Sequence, residues 1–236
     1  MTNTFDVLHQ RGRDAVVAGD HHREGRLHDG GRWGISVVLR PDAATGRRLH
    51  ALTDRAMGAA GGRQWPSGHQ SSSHFTVRVL EPHRVGVPAD DRAVGRYREA
   101  LAVAGRESAP IRLRLGGLVV TPVSVMVCAA AVDGAAARFA GALAAALGGD
   151  GWFEADSDRD IWYANVVHFA DDLPDPGRLL DWVGERRHLD LGAFTAASAQ
   201  LVRWDAGAGH AVPRLLGEAP LGSARAVGAG SGPVRR

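Results

Sequence analysis

Apolar and polar positions divide the chain into short strands separated by longer helical stretches. Trp33–Arg40 (WGISVVLR) is a β-branched run broken by Pro41-Asp42, and it reads as a buried strand. Ala43–Ala60 has helical composition, with apolar residues near Leu49, Leu52 and Met57. The loop GGRQWPSGHQSSS then leads into His74–Leu80 (HFTVRVL), a short β-branched strand, and Ala89–Gly105 is a second helix. A similar order recurs. Ile111–Val120 and Val123–Val132 read as strands, and Asp133-Gly134 turns the chain into an alanine-rich helix that ends near Gly148-Gly149. The polar loop GDGWFEADSDRD precedes the strand Ile161–Ala170 (IWYANVVHFA), and Pro176–Arg187 is a further helix. Leu191–Trp204 and Ala211–Gly217 close the fold as strands around DAGAGH.

The two ends read differently. Residues 1–30, including HHREGRLHDGGR, carry charges and glycines with little apolar periodicity, and are expected to form a polar arm. Residues 223–236 form a low-complexity tail, expected to be disordered. Residues 31–222 are expected to form one folded unit.

Each half of that unit reads strand, helix, loop, then a strand carrying His-Phe: His74-Phe75 and His168-Phe169. An acidic, proline-containing turn and a helix follow each. This order points to an internal duplication, with both histidines facing one cleft on adjacent central strands. Strand alternation places His74, Thr76 and Arg78 on one face, with Phe75, Val77 and Val79 on the other. An imidazole, a hydroxyl and a guanidinium in a row suit a phosphate, although an amphipathic strand with a solvated face shows the same pattern. His168 sits among apolar residues, where a core histidine is the ordinary reading; the duplication favours the shared cleft.

Composition narrows the chemistry. With 236 residues, 44% hydrophobic and 23% charged, the chain can bury a core without staples. The lone cysteine, Cys128, excludes an intramolecular disulfide and fits a cytoplasmic protein. All 28 basic residues are arginine, so lysine Schiff-base chemistry and a Walker-type loop are excluded. A net charge of +2 does not suit a coat for duplex DNA. Leu115–Val132 is uncharged but carries Gly116, Gly117 and Pro122, and fits two strands better than a membrane span. No spacing of His or Cys matches a metal site, and the acidic run lacks the ligand spacing of a calcium loop.

The paired motifs resemble those of the 2H phosphoesterase superfamily, which includes bacterial 2′-5′ RNA ligase-like proteins and cyclic nucleotide phosphodiesterases. That family carries two His-x-Thr/Ser motifs. His74-Phe75-Thr76 matches fully, whereas His168-Phe169-Ala170 has alanine in place of the hydroxyl. The resemblance implies a bilobal α+β fold: two pseudo-symmetric antiparallel-sheet lobes, flanked by helices, around a central cleft. It implies His74 and His168 as an acid/base pair and Thr76 as a phosphate donor, with no metal or cofactor. The substrate implied is a small nucleotide or RNA terminus, as a 2′,3′-cyclic phosphate or a 2′-5′ linkage. Alternation from His168 directs Ala170 into the cleft, where a donor is then missing. Arg78, Tyr163 and Ser72 are the candidate substitutes. Two other functions fit the same residues: a two-histidine enzyme of a specialised pathway with another substrate, and a non-catalytic nucleotide- or RNA-binding module.

Overall fold

A computed structural model describes residues 4–155, 161–207 and 210–222. The expected C-terminal tail lies outside the described residues. In chain order the strands are β1 (Ser36–Leu39), β2 (Phe75–Val79), β3 (Ile111–Val120), β4 (Ser124–Ala131), β5 (Trp162–His168), β6 (Gly192–Ala196), β7 (Ser198–Ala206) and β8 (Ala211–Pro220). The helices are α1 (Thr4–Ala18), α2 (Ala43–Ala60), α3 (Arg92–Arg106), α4 (Ala135–Leu147) and α5 (Pro176–Gly184), and a 3-10 segment covers Gly148–Glu154.

The strands form two four-stranded antiparallel sheets, ordered β2-β1-β7-β8 and β5-β4-β3-β6. This is the bilobal α+β architecture expected from the paired motifs. The two histidine strands are not central, however. β2 and β5 are each the edge strand of one sheet, and the two edges lie against each other. One continuous apolar core runs through both sheets and beneath the helices. A smaller cluster of Val38, Val202, Trp204 and Ala211 lies under Trp33 and Trp65. Val37 belongs to the large core and Val38 to the small one, as alternation across a strand requires.

Helix boundaries follow local chemistry. Asp42, Asp91 and Asp175 cap α2, α3 and α5, accepting from the amides of Thr45, Val94 and Arg178. Pro176 opens α5, where its missing N–H costs nothing. Among the described residues no helix is long and apolar enough to cross a membrane.

The N-terminal segment departs from the expected polar arm. Thr4–Ala18 is helical, and α1 docks on β3 through Gly12, where a Cβ would lie 2.2 Å from the Val120 carbonyl oxygen. A helix docked through glycine, with only Val16 fully buried beside it, carries no apolar stripe to read. The chain then crosses from one sheet to the other. His22 N–H donates to Pro122 O at 2.7 Å and Glu24 N–H to Phe169 O at 2.6 Å. Further on, Gly30 N–H donates to His83 O at 2.9 Å, and His83 N–H returns to Gly31 O at 3.0 Å.

Both histidine strands are bulged. Val37 pairs with Arg78 and Val38 with Thr76, leaving Val77 outside the β1–β2 ladder. Val125 pairs with Val167 and Met126 with Asn165, leaving Val166 outside the β4–β5 ladder. A residue that the register skips changes which face the next side chains occupy.

Candidate active site

A cleft of about 240 Å³ opens where the edges of β2 and β5 meet, closed on one side by residues 31–34. Its walls include His74, Thr76, Asn165, His168, Trp33 and Trp204. The two motif histidines therefore share one cleft.

His74 stands immediately before β2, at the end of a tightly bonded loop. The amides of Ser72 and Ser73 both donate to His69 O at 2.8 Å, and Ser73 Oγ donates to Gly68 O at 2.7 Å. Arg40 ties down the same loop through the carbonyls of Gln70 and Ser71. His74 Nδ1 lies 2.7 Å from the Ser72 carbonyl oxygen. A carbonyl only accepts, so Nδ1 carries a proton. The ring packs on Trp204, with centroids 4.5 Å apart.

His168 is the last residue of β5 and is only 4% exposed. Its backbone exchanges hydrogen bonds with Trp65, at 3.0 and 2.9 Å, which pins the loop before β2 onto β5. Its Nδ1 makes a short hydrogen bond with Ser67 Oγ. The Ser67 hydroxyl also reaches Trp65 O at 3.2 Å, and when its proton points there its oxygen is able to accept from His168 Nδ1. Burial pushes the His168 pKa down to about 3, and the positive charge of Arg32 adds to this. The ring lies against Trp33, with centroids 4.7 Å apart. Trp33 itself has a φ of 67°, uncommon for a bulky side chain, and its buried indole Nε1 has no hydrogen-bond partner among the described residues.

The other expected site residues separate. Thr76 lines the cleft with His74. Arg78 does not: its Nη2 donates to Gly151 O at 3.0 Å and Glu154 O at 2.7 Å, fastening the 3-10 segment to β2. The bulge at Val77 is what breaks the expected row. Ser72 serves through its carbonyl, while its hydroxyl is buried without a partner among the described residues. Tyr163 is not part of the cleft wall, and neither is Ala170, which follows the end of β5. The Ala170 N–H donates to Gln64 Oε1 at 2.8 Å.

Several cleft residues escape sequence reasoning. Arg32, Trp33 and Gly34 come from the segment read as arm and strand entry. Arg32 pairs with Glu24 at 3.2 Å. Asn165 is placed on the wrong face by simple alternation from His168; the bulge at Val166 brings both into the cleft. Its one legible signal is an amide within an otherwise apolar strand. Among the described residues, no three His, Cys, Asp or Glu side chains converge as metal ligands.

No family profile matches the chain, and no curated relative is found. Solved structures do match it. TT0787 of Thermus thermophilus is 17% identical with a TM-score of 0.59, over 79% of this chain and 97% of that one. A phosphoesterase is 13% identical with a TM-score of 0.53, over 81% and 99%. Escherichia coli LigT complexed with 3′-AMP is 12% identical with a TM-score of 0.53, over 81% and 99%. With its two antiparallel sheets and helices, the chain therefore has a LigT-like fold.

Proposed function

We propose that the protein is a metal-independent phosphodiesterase acting on a small nucleotide or RNA end, such as a 2′,3′-cyclic phosphate or a 2′-5′ linkage. The observation that carries this reading is the convergence of His74 and His168 in one cleft, each ring oriented through its Nδ1. The fold supports it, since solved LigT structures of this fold hold 3′-AMP and ATP.

The chemistry divides between the two rings. His168, neutral in the free protein, gains proton affinity when the negative charge of a bound phosphate lies beside it, and takes the proton of the attacking water or ribose hydroxyl. The new oxygen–phosphorus bond forms as the opposite phosphorus–oxygen bond breaks. His74, protonated at Nε2, returns a proton to the departing oxygen. The Thr76 hydroxyl donates to a non-bridging oxygen as charge builds there. Trp204 and Phe153 in the cleft wall offer apolar surface to a sugar or base.

The test is turnover of 2′,3′-cyclic nucleotides and 2′-5′ dinucleotides after dialysis against EDTA. Each of His74→Ala and His168→Ala is expected to lower kcat by at least ~10²–10⁴-fold, the range for general acid–base groups. Full activity in either variant refutes the pair. Loss with EDTA that a divalent ion restores makes this a metallo-hydrolase instead. Phosphate binding without turnover on the whole panel makes it a binding module.

A further inference from the structure

We propose that the side-chain amide of Asn165 is the second phosphate-oxygen donor of the cleft, filling by means of a strand bulge the place that Ala170 leaves empty. The inference rests on the phosphodiesterase reading above and adds a substrate-contacting residue to it.

Position comes first. Without the bulge, Asn165 and His168 would lie on opposite faces of β5, being an odd number of residues apart. With Val166 outside the ladder, both line the cleft. The strand neighbours of Asn165 confirm its direction: Ala164 and Val166 are 1% and 0% exposed and belong to the core. Asn165 itself is partly exposed.

Orientation comes next. Ser124 Oγ donates to Asn165 Oδ1 at 2.8 Å. Ser124 is in turn held by Thr121, whose Oγ1 lies 3.0 Å from Ser124 Oγ and also accepts from Ser124 N–H at 3.0 Å. Both residues are buried, so water does not compete for these bonds. With Oδ1 tied to β4, the amide plane is fixed and the two Nδ2 hydrogens face away from Ser124. Ser124 also pairs in register with His168. The amide donor and the proposed base are thus set by the same two strands, and a donor held in advance needs no reorganisation when charge develops.

Other groups in or near the cleft are placed differently. Arg32 lies in the cleft wall but its guanidinium pairs with Glu24. The Trp33 indole Nε1 is enclosed away from solvent. Arg78 is committed to the 3-10 segment. Among the described cleft residues, Thr76 and Asn165 are the neutral donors on the two opposed strands, one beside each histidine.

Asn165→Asp separates this role from a structural one. It keeps the oxygen that accepts from Ser124 and the shape of the side chain, but removes the Nδ2 hydrogens. Two readings are taken on the whole protein below its melting temperature: turnover of a 2′,3′-cyclic nucleotide, and affinity for inorganic phosphate followed by tryptophan fluorescence. Expected are a ~10²–10³-fold fall in kcat, the size seen for a lost oxyanion donor, and at least ~10-fold weaker phosphate binding. Asn165→Ala, read in the same way, is expected to show both losses without the added charge. Adding Ala170→Thr to Asn165→Ala is expected to restore neither. Wild-type turnover with unchanged kcat and phosphate affinity in both Asn165 variants overturns the assignment and leaves the phosphodiesterase reading standing. Rescue by Ala170→Thr overturns it equally. A wild type that neither turns over nor binds phosphate overturns both.

Discussion

The buried imidazole of His168 ties the stability of the fold to pH in a way that one substitution isolates. Burial, and then the charge of Arg32, lower its pKa to about 3 in the folded protein, against ~6.5 for an unfolded chain. Between those values the unfolded state binds a proton that the folded state refuses. Stability therefore rises with pH through this window and is lost as pH falls below the unfolded value. Between pH 7 and pH 5 the loss from this one group integrates to about 2 kcal/mol. Glutamine cannot titrate, so His168→Gln is expected to remove that component. Urea unfolding followed by circular dichroism at both pH values measures it. With a slope of about 2–3 kcal/mol/M for a chain of this size, the wild-type midpoint should fall by ~0.7–1 M more than the variant's on acidification. His9, whose pKa burial pushes down to about 4, titrates in the same window. It is present in both proteins, so its effect cancels in the comparison. The reasoning fails if the two midpoints shift equally, which would mean that His168 accepts a proton in the folded state as readily as in the unfolded one.

Two further outcomes bear on the site. Thr76→Val removes the hydroxyl of the first motif at nearly constant volume, and is expected to lower turnover of a cyclic phosphodiester by ~10²–10³-fold with little change in melting temperature; unchanged turnover beside an inactive His74→Ala would leave the histidines to proton transfer alone. Arg78→Met strips the partner from Gly151 O and Glu154 O and is expected to cost about 1–3 kcal/mol in thermal or urea unfolding; native stability combined with lost phosphate affinity would return Arg78 to the cleft.

The regular elements were legible because their signals are local. Pro41-Asp42, Gly61 and Asp175-Pro176 punctuate the chain where helices start or stop, and α2 and β3 run over the residues the pattern assigns. The pairing of His74 with His168 was legible because the duplication repeats a motif at matching places. What alternation could not carry was parity across a bulge. Val77 and Val166 are ordinary strand residues in the sequence, yet the register skips each of them, which moves Arg78 out of the row and brings Asn165 into the cleft. Ala170 is lost for a related reason: β5 ends at His168, so counting on by two crosses the end of the strand. Helix α1 was hidden because a single glycine, Gly12, rather than an apolar stripe, lets it approach β3.

The sheet that carries β2 is assembled from both ends of the chain: Ser36 pairs with Val79 on one side and with Val202 on the other. The partner sheet, β5-β4-β3-β6, is drawn from one contiguous stretch between Ile111 and Ala196. Synthesis from the N-terminus therefore supplies every strand of the second sheet before the first can close, since β7 and β8 leave the ribosome last. Until then β1 and β2 form a two-stranded ribbon, a unit seldom stable by itself. The lobe bearing the first histidine is thus a late event in folding, paid for by closing a very long loop. A chain cut before β7 should hold an ordered half around His168 and no formed cleft, so that the two histidines meet only once β7 has joined.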